Sequence, residues 1–189
     1  MKITAIKSHV LRYELENELG YSQQYYKNRT ANLVEVETDE GITGWGEVTT
    51  YPGVAGNRSI AHMIREVGAL LVGRDPAHIE RIWIDNVRKM TYVGTRGAVS
   101  ATASAIDIAL WDIRGKVMNL PIYMLMGGPV RDRIALYTHP PATTNPDQAR
   151  KDARAIVDAG YEAFKFDPMM HNIPEGNGHY VDGQLSRKG

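Results

Sequence analysis

The chain has 189 residues, 43% hydrophobic and 23% charged, with no cysteine. That composition fits one globular domain, or one domain and part of another, and excludes disulfides, thiolate chemistry and a membrane-spanning apolar run. Lys+Arg 22 against Asp+Glu 22 gives a formal net charge of zero, so no overall field draws the protein to nucleic acid or to an anionic membrane, and a small molecule is the expected partner.

The N-terminus enters a strand at once, with no basic and apolar leader, which makes the cytoplasm the expected compartment. Residues 2 to 14 hold Ile3, Ile6, Val10 and Leu11 in a β-compatible run, and 31 to 38 alternate, with Val34 and Val36 between charged neighbours. Asp39-Glu40-Gly41 supplies a turn whose glycine takes positive φ, and Ile42 to Val48 returns as a third strand. An antiparallel meander is therefore expected to open the chain. Between its first and second strands, Glu16 to Thr30 reads as a long polar and aromatic loop. Thr49 to Asn57 reads as a second irregular stretch, and both are candidates for ligand contact.

Helical spacing follows at Ile60, Ile64, Val67 and Leu71, then a second helix with Asp75 as cap and Pro76 at its first position. Ala98 to Met118 is small and apolar, with Ile106, Leu110, Ile113 and Val117 on one face, and should be the most buried helix. Beyond Pro121 the pattern changes. Ile134 to Tyr137 reads as a strand, Pro146 to Ala159 as a helix stopped by Gly160, and Ala163 to Phe166 as a second strand, which together make a βαβ unit. Such a unit needs a parallel sheet covered on both faces. No regular element is expected after Asp167. His171, His179, Glu175 and Asp182 in that tail lack the spacing of a rigid metal frame, and no metal ligand is assigned.

The segment Asp107-Ile108-Ala109-Leu110-Trp111-Asp112-Ile113-Arg114-Gly115-Lys116, followed by Pro121 and Gly127-Gly128, is very similar to the signature of the mandelate racemase and muconate lactonizing enzyme family of the enolase superfamily. The Thr38 to Glu47 hairpin, the Val72 to Pro76 junction and the Ala163 to Asp167 strand agree with it in order, most closely with the acid-sugar dehydratases of galactonate and gluconate type.

The resemblance implies an α+β enolase-type N-terminal capping domain over residues 1–125. The first βαβ of an incomplete (β/α)8 TIM barrel then occupies 126–189, where a whole barrel needs about 250 residues. It implies a Mg2+-dependent dehydratase that abstracts the proton next to a carboxylate and eliminates water. In the family the metal ligands and main base come from later barrel strands, so this chain alone is expected to bind no Mg2+ and to be inactive. Trp111 and the aliphatic face of the signature helix are expected to be core, with Asp107 and Asp112 making polar contacts at a domain junction.

Lys165 stands at the end of the second barrel strand, where the family places a Lys-x-Lys pair, and Asp167 takes the second lysine's position. That substitution favours dehydration over a two-base racemase, and Lys165 and Asp167 are the catalytic candidates. Tyr21, Tyr26, Arg29, Thr50 and Tyr51 match the two family loops that close over the barrel mouth, and are the substrate-binding candidates for a sugar acid. The complete enzyme is expected to be a homo-oligomer. The alternatives are a non-catalytic interaction module or decayed fragment, and a racemase or cycloisomerase of the same superfamily.

Overall fold

The computed structural model describes residues 1–21, 24–48, 53–94, 96–140, 143, 145–166, 180–181 and 184–185, with the backbone alone at 17–21, 24–26, 53–55, 180–181 and 184–185. The chain divides into two compact units, Met1–Glu14 with Asn28–Pro129, and Leu15–Lys27 with Val130–Gly189.

Three strands, β1 (Ile3–Tyr21), β2 (Gln24–Thr38) and β3 (Thr43–Val48), form a sheet in the order β1-β2-β3. β2 and β3 pair antiparallel from Asn32↔Val48 to Glu37↔Thr43. Their turn is the one that the sequence demands: Gly41 sits at φ 76° and returns its N–H to the Thr38 carbonyl at 3.2 Å. The pleat sorts the side chains by face. Asn32, Val34, Val36 and Thr38 are buried, while Glu37 and Glu35 on the other face pair with Lys7 at 2.5 Å and His9 at 2.8 Å.

Helices α1 (Gly53–Ala69), α2 (Ile79–Lys89) and α3 (Ala98–Met118) build the core with that sheet. Ile3, Val34, Val36 and Val48 meet Ile60, Ile64 and Val67 of α1, Ile79 and Ile82 of α2, and Ile106, Leu110 and Ile113 of α3. Burying such side chains, each worth about 1.5–3 kcal/mol, outweighs modest helix propensity and sets which face of each helix turns inward. At the end of α3, Asn119 adopts a left-handed φ of 50°, and the amides of Asn119 and Leu120 return to the carbonyls of Lys116 and Gly115. A four-residue helix, α4 (Ile122–Leu125), follows.

In the second unit β4 (Tyr137–Thr138) pairs parallel with β5 (Ala163–Phe164), joined through α5 (Pro146–Asp158). Asn145 caps α5, its side chain accepting from the amides of Asp147 and Gln148, and Pro146 fills the first turn. Gly160 at φ 88° ends the excursion. Among the described residues of this unit no side chain is buried.

Several expectations are corrected. Glu16 to Thr30 is not a loop: β1 runs to Tyr21 and β2 begins at Gln24. Apolar alternation marks a buried face, and a strand can continue without one. Helix α1 begins at Gly53 rather than after Asn57. Asp75 and Pro76 form a turn before α2 instead of capping it, because Asp75 Oδ1 accepts from Ala77 N–H at 2.9 Å and the helix starts at Ile79. Val117, assigned to the buried face of α3, is 52% exposed. The strands expected over Ile134 to Tyr137 and Ala163 to Phe166 reduce to two residues each. The tail contains a small antiparallel pair, β6 (Tyr180–Val181) and β7 (Gln184–Leu185).

Candidate functional site

The GxGE hairpin and the signature helix are one packing unit. Strand β3 crosses α3 so closely that a Cβ built on Gly44 would stand 2.1 Å from the Ala109 carbonyl oxygen, and one on Gly46 would stand 2.0 Å from that of Ala105. Two glycines facing two alanines let backbone approach backbone.

Asp112 and Lys116 complete this unit. β3 is an edge strand, so Thr43 and Trp45 direct backbone groups away from β2. The Trp45 N–H donates to Asp112 Oδ2 at 2.8 Å. Lys116 Nζ donates to the Thr43 carbonyl and to the same Asp112 oxygen, each at 2.7 Å. The ion pair substitutes for a missing neighbour strand and blunts the edge. Asp112 thus makes polar contacts inside the first unit, clasping its own sheet.

Asp107, one helical turn earlier, lies in a depression of about 310 Å³ with Glu80, Trp83, Ser104, Ile108 and Trp111. No hydrogen bond or ion pair to it occurs among the described residues. Burial, and then the neighbouring Glu80 carboxylate, push its carboxyl above the usual range. Trp111 carries Arg114 over its ring, 5.8 Å from the centroid. It packs against the core without being fully inside it.

The sequence candidates are distributed as follows. Arg29 is exposed on β2, in the first unit. Lys165 directly follows β5 in the second unit, exposed, its N–H donating to the Thr138 carbonyl at 2.9 Å, so its backbone continues the parallel pairing. Tyr21 ends β1 and Tyr26 lies in β2, but their side chains fall outside the described residues, as do Thr50, Tyr51 and Asp167 altogether. His171, His179, Glu175 and Asp182 fall outside them too. Arg29 and Lys165 are thus the candidates whose side chains lie among the described residues, one in each unit. Among the described residues no group of three or more His, Cys, Asp or Glu side chains could hold a metal ion, and no helix is long and apolar enough to cross a membrane.

A polar group that sequence reasoning missed lies in the core. Asn32 and Asn57 are both fully buried. The only signal for them was a polar residue at an inward position of an otherwise apolar pattern, Asn32 before Val34 and Val36.

Comparison with known proteins places this architecture. D-galactonate dehydratase of Variovorax paradoxus is 39% identical over 134 residues, covering 70% of this chain and 34% of that protein. D-galactarolactone cycloisomerase of Agrobacterium fabrum is 33% identical over 165 residues, covering 87% of this chain and 42% of that protein. The crystal structure of N-succinyl Arg/Lys racemase from Bacillus cereus superposes with a TM-score of 0.72 at 32% identity, covering 88% of this chain and 44% of that one. The chain therefore spans between a third and a half of the length of these relatives. The antiparallel meander with its helices is the N-terminal domain of the enolase superfamily, and the parallel β4–β5 pair begins the barrel. With residues 17–127 matching the N-terminal domain of the mandelate racemase / muconate lactonizing enzyme family, the chain belongs to that family.

Proposed function

We propose that this chain supplies the capping domain, residues 1–125, and the opening strands of the barrel, from 126, of a sugar-acid dehydratase that removes the proton next to a carboxylate and eliminates water. The observation that carries this reading is the 39% identity to D-galactonate dehydratase over 134 residues. Lys165 supports it, standing directly after a parallel strand, since the carboxyl ends of barrel strands carry the chemistry in this architecture. In this reading Lys165 and Asp167 face the reacting sugar acid, and Arg29 pairs with its distal carboxylate. Tyr21, Tyr26, Thr50 and Tyr51 meet its hydroxyls. Mg2+ belongs to the complete enzyme. Among the described residues no group of three or more acidic or His side chains could hold a divalent cation; in this reading the ligands and main base come from later barrel strands, and the 189-residue chain by itself is inactive.

A second reading, a cycloisomerase acting on a sugar lactone, is favoured by the longer match to D-galactarolactone cycloisomerase, which reaches 87% of the chain. One chimera separates the two. This chain is joined to the remaining part of the Variovorax dehydratase and assayed with aldonates, aldarates and galactarolactone. Dehydration of an aldonate that falls at least about 100-fold in the Lys165→Met variant supports the first reading. Lactone turnover without dehydration supports the second. A folded chimera inert toward every such acid and lactone overturns both, and favours a non-catalytic module.

A further inference from the structure

The first unit contains a chain of hydrogen bonds with two fully buried asparagines at its centre. Ser8 Oγ donates to Asn32 Oδ1 at 2.5 Å. Asn32 Nδ2 donates to the Asn57 backbone carbonyl at 3.2 Å, and Asn57 Nδ2 donates to Thr30 Oγ1 at 2.8 Å. Ser8 belongs to β1, Thr30 and Asn32 to β2, and Asn57 to the second turn of α1, so the network ties three elements together. Both asparagines are 0% exposed. A Val or Leu at 32 would extend the apolar row of Val34 and Val36, and one at 57 would join Ile60 and Ile64 of α1, whereas a buried amide is tolerated only when its donors and acceptors are met.

We propose that Asn32 and Asn57 are positioning residues. They fix the register of α1 against β2, and so set where the entry to α1 stands relative to Arg29, the neighbour of Thr30. Apolar packing selects the inward face of a helix but is non-directional, while a buried amide bonded to a backbone carbonyl has one geometry and defines the register more sharply. In the proposed function, Tyr26 and Arg29 of β2 contact the substrate, and so do Thr50 and Tyr51, which precede α1 in the sequence. The proposal rests on that reading for its purpose but not for its test, so either can fail without the other.

The test uses nitroxide labels on the 189-residue chain, whose lack of cysteine confines labels to introduced sites. One pair, Tyr13→Cys with Arg58→Cys, spans β1 and α1. A control pair, Arg88→Cys with Val117→Cys, spans α2 and α3. All four positions are exposed. In the Asn32→Leu/Asn57→Leu background the first distance distribution should broaden or split and the second stay narrow. Two narrow distributions would overturn the proposal, because apolar packing alone would then fix the register. If the double variant broadens at both pairs, Thr30→Val, which removes a single acceptor, decides. Broadening at the β1–α1 pair alone supports register control, and none, or the same at both pairs, overturns it.

Discussion

The two units solve the burial problem differently. In the first, strand and helices enclose Ile64, Val34, Val36, Leu71, Ala105, Ala109 and Leu110, all at 0% exposure. In the second, Leu136 is 69% exposed, Tyr137 59%, Phe166 61% and Val157 59%. Both have well-formed local signals: the Asn145 cap of α5 is better than anything at the start of α2, where His78 makes no side-chain cap bond. Capping contributes about 1 kcal/mol, whereas a core of fifteen buried residues contributes tens before the entropy of ordering is set against it. Local correctness is therefore not what distinguishes the units. An antiparallel meander with helices over one face closes on itself, and a single parallel pair cannot.

The sharpest way to break this contrast is at the β3–α3 contact. Gly46→Ala forces a methyl to within 2.0 Å of a backbone oxygen that no rotamer can move. It should lower the first unit's unfolding free energy by about 3 kcal/mol or more, read from urea denaturation followed by tryptophan fluorescence. Phe164→Ala in the second unit removes more apolar surface and should leave that transition in place. Equal losses would mean that the units share one core.

A middle-sized effect is expected at the clasp. Asp112→Ala leaves the Trp45 N–H and the Lys116 ammonium without their shared acceptor, a loss of about 0.5–1.5 kcal/mol. It also reopens the β3 edge, so light scattering should show association that grows with concentration. A variant that is destabilised yet strictly monomeric would show that the clasp stabilises without guarding the edge.

The smallest effect concerns pH. The folded-state pKa of Asp107 is raised above 3.8 by burial and by Glu80, so the folded state holds this proton more tightly than the unfolded one. Stability therefore falls as pH climbs from about 3.8 through the raised value. Asp107→Asn should therefore raise the urea midpoint at neutral pH and leave it unchanged well below 3.8. Asp85, held below its ordinary value by Arg81 and then by Arg74, works in the opposite sense. Its contribution is present at neutral pH and is lost in acid. A midpoint unaltered by Asp107→Asn across the whole pH range would remove the electrostatic cost assigned to this depression.

Much of the architecture was legible because its signals are local. Gly41 in the Asp39-Glu40-Gly41 turn, the limits of α3 at Ala98 and Met118, and the Asn145-Pro146 start of α5 all follow from chemistry within a few residues. The extension of β1 and β2 through 16–30 was not legible, because the polar residues there carry no periodicity. Nor was the start of α1, which follows a Pro-Gly pair that reads as a loop. For the site, the sequence singled out Lys165 and Arg29, and the fold places one after a parallel strand and the other on the long β2 strand.

The amino-acid sequence by itself determined the family, the antiparallel opening and the change to a βαβ pattern after Pro121, since these rest on residue order and periodicity. Only the tertiary structure decided what the signature residues do. That Gly44 and Gly46 exist to admit Ala105 and Ala109, that Asp112 and Lys116 serve the edge of β3, and that Asn32 seeks Asn57 depend on partners 25 to 73 positions apart. Close approach and hydrogen bonding are properties of distance in space, and the sequence lists the donors and acceptors without saying which of them will meet.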